Sequence, residues 1–170
     1  KYNLKINLDK CDFGRSEVPY LGHVLTKEGI RPSSDKLKAV RDFPEPQNVK
    51  QLREFCGLTN YFRAHIRNFA LTAGHLSRLT RKDSEWSKGP LPPVAKAAFL
   101  RLKNDLCTAP MLIYPNPSLP YRLAVDAATG TADTPGGLGA ILSQVDKEGV
   151  ERVIAYASRS LKTNKKNYTP

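Results

Sequence analysis

Leu4, Ile6 and Leu8 alternate with polar residues, the two-residue period of a strand with one buried face. Val18 to Thr26, followed by Lys27-Glu28-Gly29, reads as strand, turn, strand, so the first 31 residues predict a small sheet. Ser33 or Ser34 can cap a short helix running through Val40, and Phe43-Pro44-Glu45-Pro46 breaks that pattern. Leu52, Phe55, Phe62, Ile66 and Phe69 then recur at helical spacing and predict one long helix with one apolar stripe. Asn48, three residues before Gln51, opens it with a variant of the capping box. Leu71 to Leu79 suggests a further helix, and residues 82–90 a polar connection carrying one aromatic, Trp86. Ala98, Phe99, Leu102 and Leu106 predict another helix from Val94 to Leu106, closed by Ala109-Pro110. Beyond Pro115, Pro117 and Pro120 the period returns to two. Strands are expected at 121–126, 138–145 and 152–157, with turns at Gly136-Gly137 and Lys147-Glu148-Gly149, which makes a meander. The pattern as a whole is α+β.

Composition narrows the partners. The chain has 170 residues, 40% of them hydrophobic, enough for a buried core. Lys and Arg outnumber Asp and Glu by 27 to 16, a net charge of +11 that favours a polyanion, nucleic acid foremost. The excess is uneven: residues 1–82 carry +8 and residues 83–170 carry +3, so the N-terminal half is expected to bind more strongly. No apolar run approaches the roughly 18 residues of a membrane span, and no signal peptide is visible, so no membrane partner is expected. Cys11, Cys56 and Cys107 are odd in number and widely spaced, which argues against a disulfide framework or a zinc site and fits an intracellular, cytoplasmic setting. The chain opens without Met on an amphipathic stretch and stops at Tyr168-Thr169-Pro170, and so reads as an interior piece of a larger protein.

Arg53, Gly57 and Tyr61 stand at i, i+4 and i+8, in one row beside the apolar stripe. A glycine inside a helix costs about 1 kcal/mol relative to Ala, and its usual use is close approach of another backbone. That neighbour is either a second helix or a nucleic-acid groove, with Arg53 and Tyr61 against sugars or base edges. Residues 47–82 hold seven cations, Lys50, Arg53, Arg63, Arg67, Arg78, Arg81 and Lys82, against the single Glu54; a solvated basic face is the plainer explanation. Asp126 ends an apolar strand ahead of a turn-rich loop, where a metal-binding carboxylate is often presented. A lone carboxylate is not a site, and Asp126, like Asp133 and Asp146, also fits a turn role. His23, His65 and His75 are scattered and read as structural. Gly136-Gly137-Leu138-Gly139 lacks the Lys-Ser/Thr of a phosphate loop and reads as a hairpin lead-in.

Several ordered motifs match something specific. They are Leu4 to Cys11, Tyr20-Leu21-Gly22-His23-Val24-Leu25, Gly29-Ile30-Arg31-Pro32, Gln51 to Arg63, Ala109-Pro110-Met111-Leu112, Val125-Asp126-Ala127 and Tyr156 to Leu161. Together they closely resemble the Ty3/gypsy (Metaviridae) retrotransposon reverse transcriptase, across nearly the whole chain. The resemblance implies that residues 1–43 are the end of the palm, 44–85 the thumb, 86–118 a connecting segment and 119–170 the opening of a ribonuclease H-like domain. It implies a parent RNA-directed DNA polymerase with ribonuclease H activity, using Mg2+ and working in a virus-like particle. Leu21, Gly22 and His23 correspond to the primer grip. Arg53, Gly57 and Tyr61 fall on the thumb helix that follows the minor groove, with Lys50, Asn60, Arg63 and Arg67 beside them as nucleic-acid contacts. Asp126 is similar to the first metal-binding, catalytic Asp of ribonuclease H.

The remaining catalytic carboxylates of that family would lie before Lys1 and after Pro170, so this chain alone is expected to be inactive and to hold no metal tightly. Ala127 to Gly137 is also several residues longer than the family's usual turn. The partners implied are an RNA/DNA hybrid, a DNA duplex and the rest of the polymerase and ribonuclease H domains. The rival expectation is a non-catalytic connection-type or protein-interaction module, which would form a homodimer or dock on another chain.

Overall fold

The computed structural model describes residues 5–11, 13–130 and 136–161. Three strands, β1 (Glu17–Tyr20), β2 (His23–Thr26) and β3 (Gly29–Pro32), run antiparallel in sequence order. The stretch expected as one strand from Val18 to Thr26 folds back at Leu21-Gly22, where both residues have positive φ, 47° and 79°. Positive φ at both central residues is what a two-residue turn needs to match strand twist. Glycine adopts it freely, whereas Leu21 does so at a cost of about 1 kcal/mol or more.

The strand expected over Leu4, Ile6 and Leu8 does not form in its described part. Leu8–Lys10 is a turn of 310 helix, capped by the Asn7 side chain, which accepts from the Asp9 N–H at 3.1 Å. Ile6 and Leu8 are each 74% exposed, so no partner buries the alternating face and the local cap prevails. Leu4 lies outside the described residues. A fourth strand, β4 (Leu112–Ile113), closes the first sheet by pairing with β3. Prolines on either side make this pair read as linker in the sequence. Gly29 permits the approach, since a Cβ there would stand 2.2 Å from the Leu112 carbonyl oxygen.

Helix α1 (Ser34–Arg41) is capped by Ser33, whose side chain accepts from the Lys36 N–H. Helix α2 (Val49–Tyr61) is capped by Asn48, which accepts from the Gln51 N–H at 3.0 Å, while Gln51 reaches back to the Gln47 N–H at 2.7 Å. The single long helix expected from the apolar stripe is in fact three pieces. Helix α2 stops at Tyr61, Arg63–His65 forms a 310 turn, and α3 (Phe69–Leu79) restarts after Asn68 at φ 54°. Leu52, Phe55, Phe62, Ile66 and Phe69 are nevertheless all buried in one core. Neither Gly nor Pro marks the break, and Asn68 supplies the left-handed residue that asparagine tolerates better than most.

Helix α4 (Pro93–Cys107) begins with proline at its first turn, where the missing N–H would be unpaired anyway. It adds Ala98, Phe99, Leu102 and Leu106 to the same core, and α1 adds Val40. The Phe55 ring sits at the centre, 4.5 Å from Phe99 and 5.3 Å from Phe43.

The second sheet is the expected meander, β5 (Arg122–Ala128), β6 (Gly137–Val145) and β7 (Glu151–Ser160), antiparallel in that order with a bulge at Leu142/Ser143. Gln144, 1% exposed, ties the proline-rich approach to it. Its amide accepts from the Asn116 N–H and donates to the Asn116 and Leu119 carbonyls at 2.8–2.9 Å. Asp146 takes the turn role, accepting from the Glu148 and Val150 N–H groups. The Arg152 guanidinium bonded to it holds its carboxyl below the usual carboxylate range.

Candidate nucleic-acid interface

The tip of the β1–β2 hairpin and the end of α2 meet. The Tyr61 hydroxyl donates to the Leu21 carbonyl at 2.5 Å. The His23 ring lies 5.4 Å from Tyr61, 5.0 Å from Phe62 and 5.4 Å from His65, stacked on the last. The Gly22 carbonyl accepts from the Ser33 N–H at 2.9 Å, and the Lys36 side chain passes over Gly22. Leu21 stays 69% exposed and Tyr61 53%, so a fixed tip presents an apolar side chain and a ring to solvent.

Two histidines that read as scattered thus share one aromatic cluster, a contact across more than forty residues that local spacing cannot reveal. His65 is 3% exposed, and burial, reinforced by the charge of His23, lowers its pKa to about 4; the Pro110 carbonyl acts in the opposite sense. Its Nδ1 has no hydrogen-bond partner among the described residues. His75 stands apart on α3, its pKa lowered by burial and by Arg78.

Arg53, Gly57 and Tyr61 are all exposed along α2. A Cβ on Gly57 would meet nothing within 4 Å, so no neighbouring helix among the described residues explains this glycine. The surface above it is open. Arg53 donates to the Thr80 carbonyl at 2.9 Å, which lays its guanidinium across the C-terminal end of α3. Asn60 and Gly57 form one wall of a groove of about 660 Å3, with Ala73, Gly74 and Ser77 of α3 opposite and the end of β7 across one side. Lys50 and Arg67 are exposed and make no salt bridge among the described residues.

Arg63 differs from its neighbours. It donates to the Ser158 carbonyl at 2.5 Å and lies 6.0 Å over the Phe69 ring, a strut between the helices and β7. Ser158, 8% exposed, also acts on α3. Asn68 makes no side-chain cap, and the Ser158 hydroxyl takes that role by accepting from the Ala70 N–H at 2.9 Å. The glycines read as a hairpin lead-in seat the sheet on this helix start. A Cβ on Gly139 would come 2.3 Å from Asn68 Oδ1, and one on Gly137 2.6 Å from Leu71 Cδ2. Ser158→Ala leaves the Ala70 N–H without its partner and is expected to cost about 1 kcal/mol, a fall of roughly 2–4 °C in Tm by calorimetry.

Asp126 lies in β5 opposite Gly139, on a strand whose residues are all exposed. Among the described residues no three His, Cys, Asp or Glu side chains gather to hold a metal ion. One solvated carboxylate does not fit a divalent cation that takes six or more oxygen ligands, and no metal-dependent step follows from it. Asp133 lies outside the described residues. No helix among the described residues is long and apolar enough to cross a membrane.

Known proteins share this fold. Residues 92–170 match the family described as "RNase H-like domain found in reverse transcriptase". Two structures of the foamy viral protease-reverse transcriptase superpose on 92% of the chain. One, in complex with dsDNA, has a TM-score of 0.73 at 21% identity over 31% of that chain. The other, in complex with an RNA/DNA hybrid, has a TM-score of 0.71 at 22% identity over 20% of that chain. The fold is therefore that of a reverse-transcriptase segment with a ribonuclease H-like unit.

The retrovirus-related Pol polyprotein from transposon opus of Drosophila melanogaster is 38% identical over 176 residues, 99% of this chain and 17% of that polyprotein. The polyprotein from transposon gypsy of the same organism is 32% identical over 175 residues, covering 98% and 16%. An uncharacterized mitochondrial protein of Arabidopsis thaliana is 36% identical over 118 residues, 68% of this chain and 72% of that one. The chain belongs to the gypsy-type retrotransposon Pol family, in its reverse transcriptase/ribonuclease H region. It spans less than a fifth of the two polyproteins.

Proposed function

We propose that this chain is the template-primer binding segment of a retrotransposon reverse transcriptase, gripping an RNA/DNA hybrid or a DNA duplex. The observation that carries this reading is the open surface over Gly57, flanked by Arg53 and Asn60 and bounded by the fixed hairpin tip. A helix with a bare glycine between an arginine and a tyrosine lets a duplex groove approach the backbone closely. Residues 1–43 then act as the end of a palm, 44–85 as a thumb, 86–118 as a connecting segment and 119–170 as the start of a ribonuclease H-like domain. Lys50 and Arg67 contribute charge to phosphates, whereas Arg63 serves mainly as a strut. The longer polyprotein supplies RNA-directed polymerisation and hybrid cleavage with Mg2+, since Asp126 has no companion ligands among the described residues. Three free cysteines suit the reducing interior of a cell.

Phosphate contacts make binding depend on salt, with a logarithmic slope of about −0.9 per phosphate neutralised. About four contacts predict that affinity for a fluorescent RNA/DNA hybrid falls roughly a hundredfold between 50 and 200 mM NaCl. Fluorescence anisotropy measures this directly; absent binding at 50 mM, or affinity indifferent to salt, would sink the proposal.

A protein-docking role is the second reading, favoured by the exposure of Leu123 at 67% and Val125 at 74% on one face of β5. Sedimentation separates the two: an obligate oligomer that ignores nucleic acid supports docking, and a monomer that binds hybrid supports the grip.

A further inference from the structure

We propose that Tyr61 is a positioning residue, whose hydroxyl holds the Leu21 carbonyl and so fixes the hairpin tip relative to α2. The inference rests on the duplex-binding reading and assigns a division of labour within that surface.

The tip needs an outside anchor. Leu21 occupies left-handed backbone at φ 47°, a conformation that its side chain disfavours, and it is 69% exposed, so little burial of its own offsets that cost. Among the described residues, two hydrogen bonds reach the tip from beyond the hairpin: the Ser33 N–H to the Gly22 carbonyl, and the Tyr61 hydroxyl to the Leu21 carbonyl. The first ties the tip to the start of α1 and the second to the last residue of α2. Without the second, the helix row and the tip would be related, among the described residues, through the tilted ring contacts of His23 with Tyr61 and Phe62.

Proton accounting argues against direct readout by the same hydroxyl. A phenol carries one proton, and this one is given to Leu21, leaving only lone pairs. Minor-groove base edges present mostly acceptors, adenine N3 and thymine O2, which lone pairs cannot satisfy. The ring edge of Tyr61 remains free to touch sugars, while its hydroxyl faces inward to the tip. The pair therefore meets a duplex as one surface that senses groove shape rather than base sequence.

Tyr61→Phe tests this, because it keeps the ring and its contact with His23 and removes only the hydroxyl. Two measurements are made on the whole chain: 15N relaxation of the Leu21 and Gly22 amides in the free protein, and affinity for an RNA/DNA hybrid at 50 mM NaCl. The expected result is a mobile tip together with affinity reduced roughly three- to tenfold, the range one hydrogen bond supplies. Arg53→Ala, by contrast, should weaken binding while leaving the tip amides as they are in the wild type. Wild-type affinity in Tyr61→Phe overturns the proposal. So does a loss of affinity with unchanged tip amides, which would mean direct contact by the hydroxyl. A wild-type chain that ignores hybrid overturns the duplex reading itself, and the positioning role with it.

Discussion

Phe55→Ala is expected to destabilise the protein by about 3–5 kcal/mol, the usual cost of emptying a large aromatic site in a packed core. Phe55 is fully buried, with Phe99 of α4 on one side and Phe43, just beyond α1, on another. Helix α2, helix α4 and the segment that follows α1 thus converge on one ring. Against the roughly 5–15 kcal/mol of a typical domain this is about a fifth of the total or more. Urea denaturation followed by circular dichroism should show a lower midpoint at unchanged slope. A loss below about 1 kcal/mol would mean that the core closes around the gap and that Phe55 is not its centre.

Acidification should bring the second large loss. His65 has a folded pKa of about 4, whereas the unfolded chain releases the same proton near 6.5. Between those values the unfolded state binds more protons, so stability is complete above pH 6.5 and falls as pH drops toward 4. The difference amounts to roughly 3 kcal/mol once both states are protonated. His75, also lowered, acts in the same direction. Carboxylates held low by partners, such as Glu45 beside Lys96, contribute only at the acid end of the range. Thermal melts at half-unit steps of pH should therefore show a slope from 6.5 downward that His65→Leu, close in volume, largely removes, leaving the smaller part due to His75. An unchanged slope in that variant would assign the acid sensitivity elsewhere.

How much of this could be read beforehand differs by element. Helix α4 and the three-stranded meander follow their periodicity closely, because each presents one unbroken pattern between proline or glycine stops. The apolar stripe from Leu52 to Phe69 marks burial correctly yet conceals two breaks. Phe55 and Phe62 are seven residues apart, two helical turns, so the spacing is the same whether or not the helix continues. Strand β4 was hidden for the opposite reason: two residues between prolines carry too little pattern to register, and only pairing with β3 makes them a strand.

At the candidate interface, the row of Arg53, Gly57 and Tyr61 is a helical fact and follows from sequence spacing. The link from Tyr61 to Leu21 spans forty residues, and that from Arg63 to Ser158 spans ninety-five. Side chains free to point either way in isolation are committed by such contacts, so the bond from Arg63 to Ser158 is one that local spacing could not reveal. The same holds for Gly137 and Gly139, whose turn-like composition belongs to a docking surface.

The exposure of β5 has a thermodynamic consequence for Asp126. That strand pairs with β6 alone among the described residues, and both of its faces lie in solvent. A strand with few buried contacts and one open edge belongs to the part of a fold that opens locally at small free-energy cost. Anything that binds through the Asp126 carboxylate must also immobilise the strand that carries it, and part of the binding free energy is consumed in that ordering. A ligand held through that carboxylate would therefore gain affinity from whatever stiffens β5, even where no new ligand atom is added.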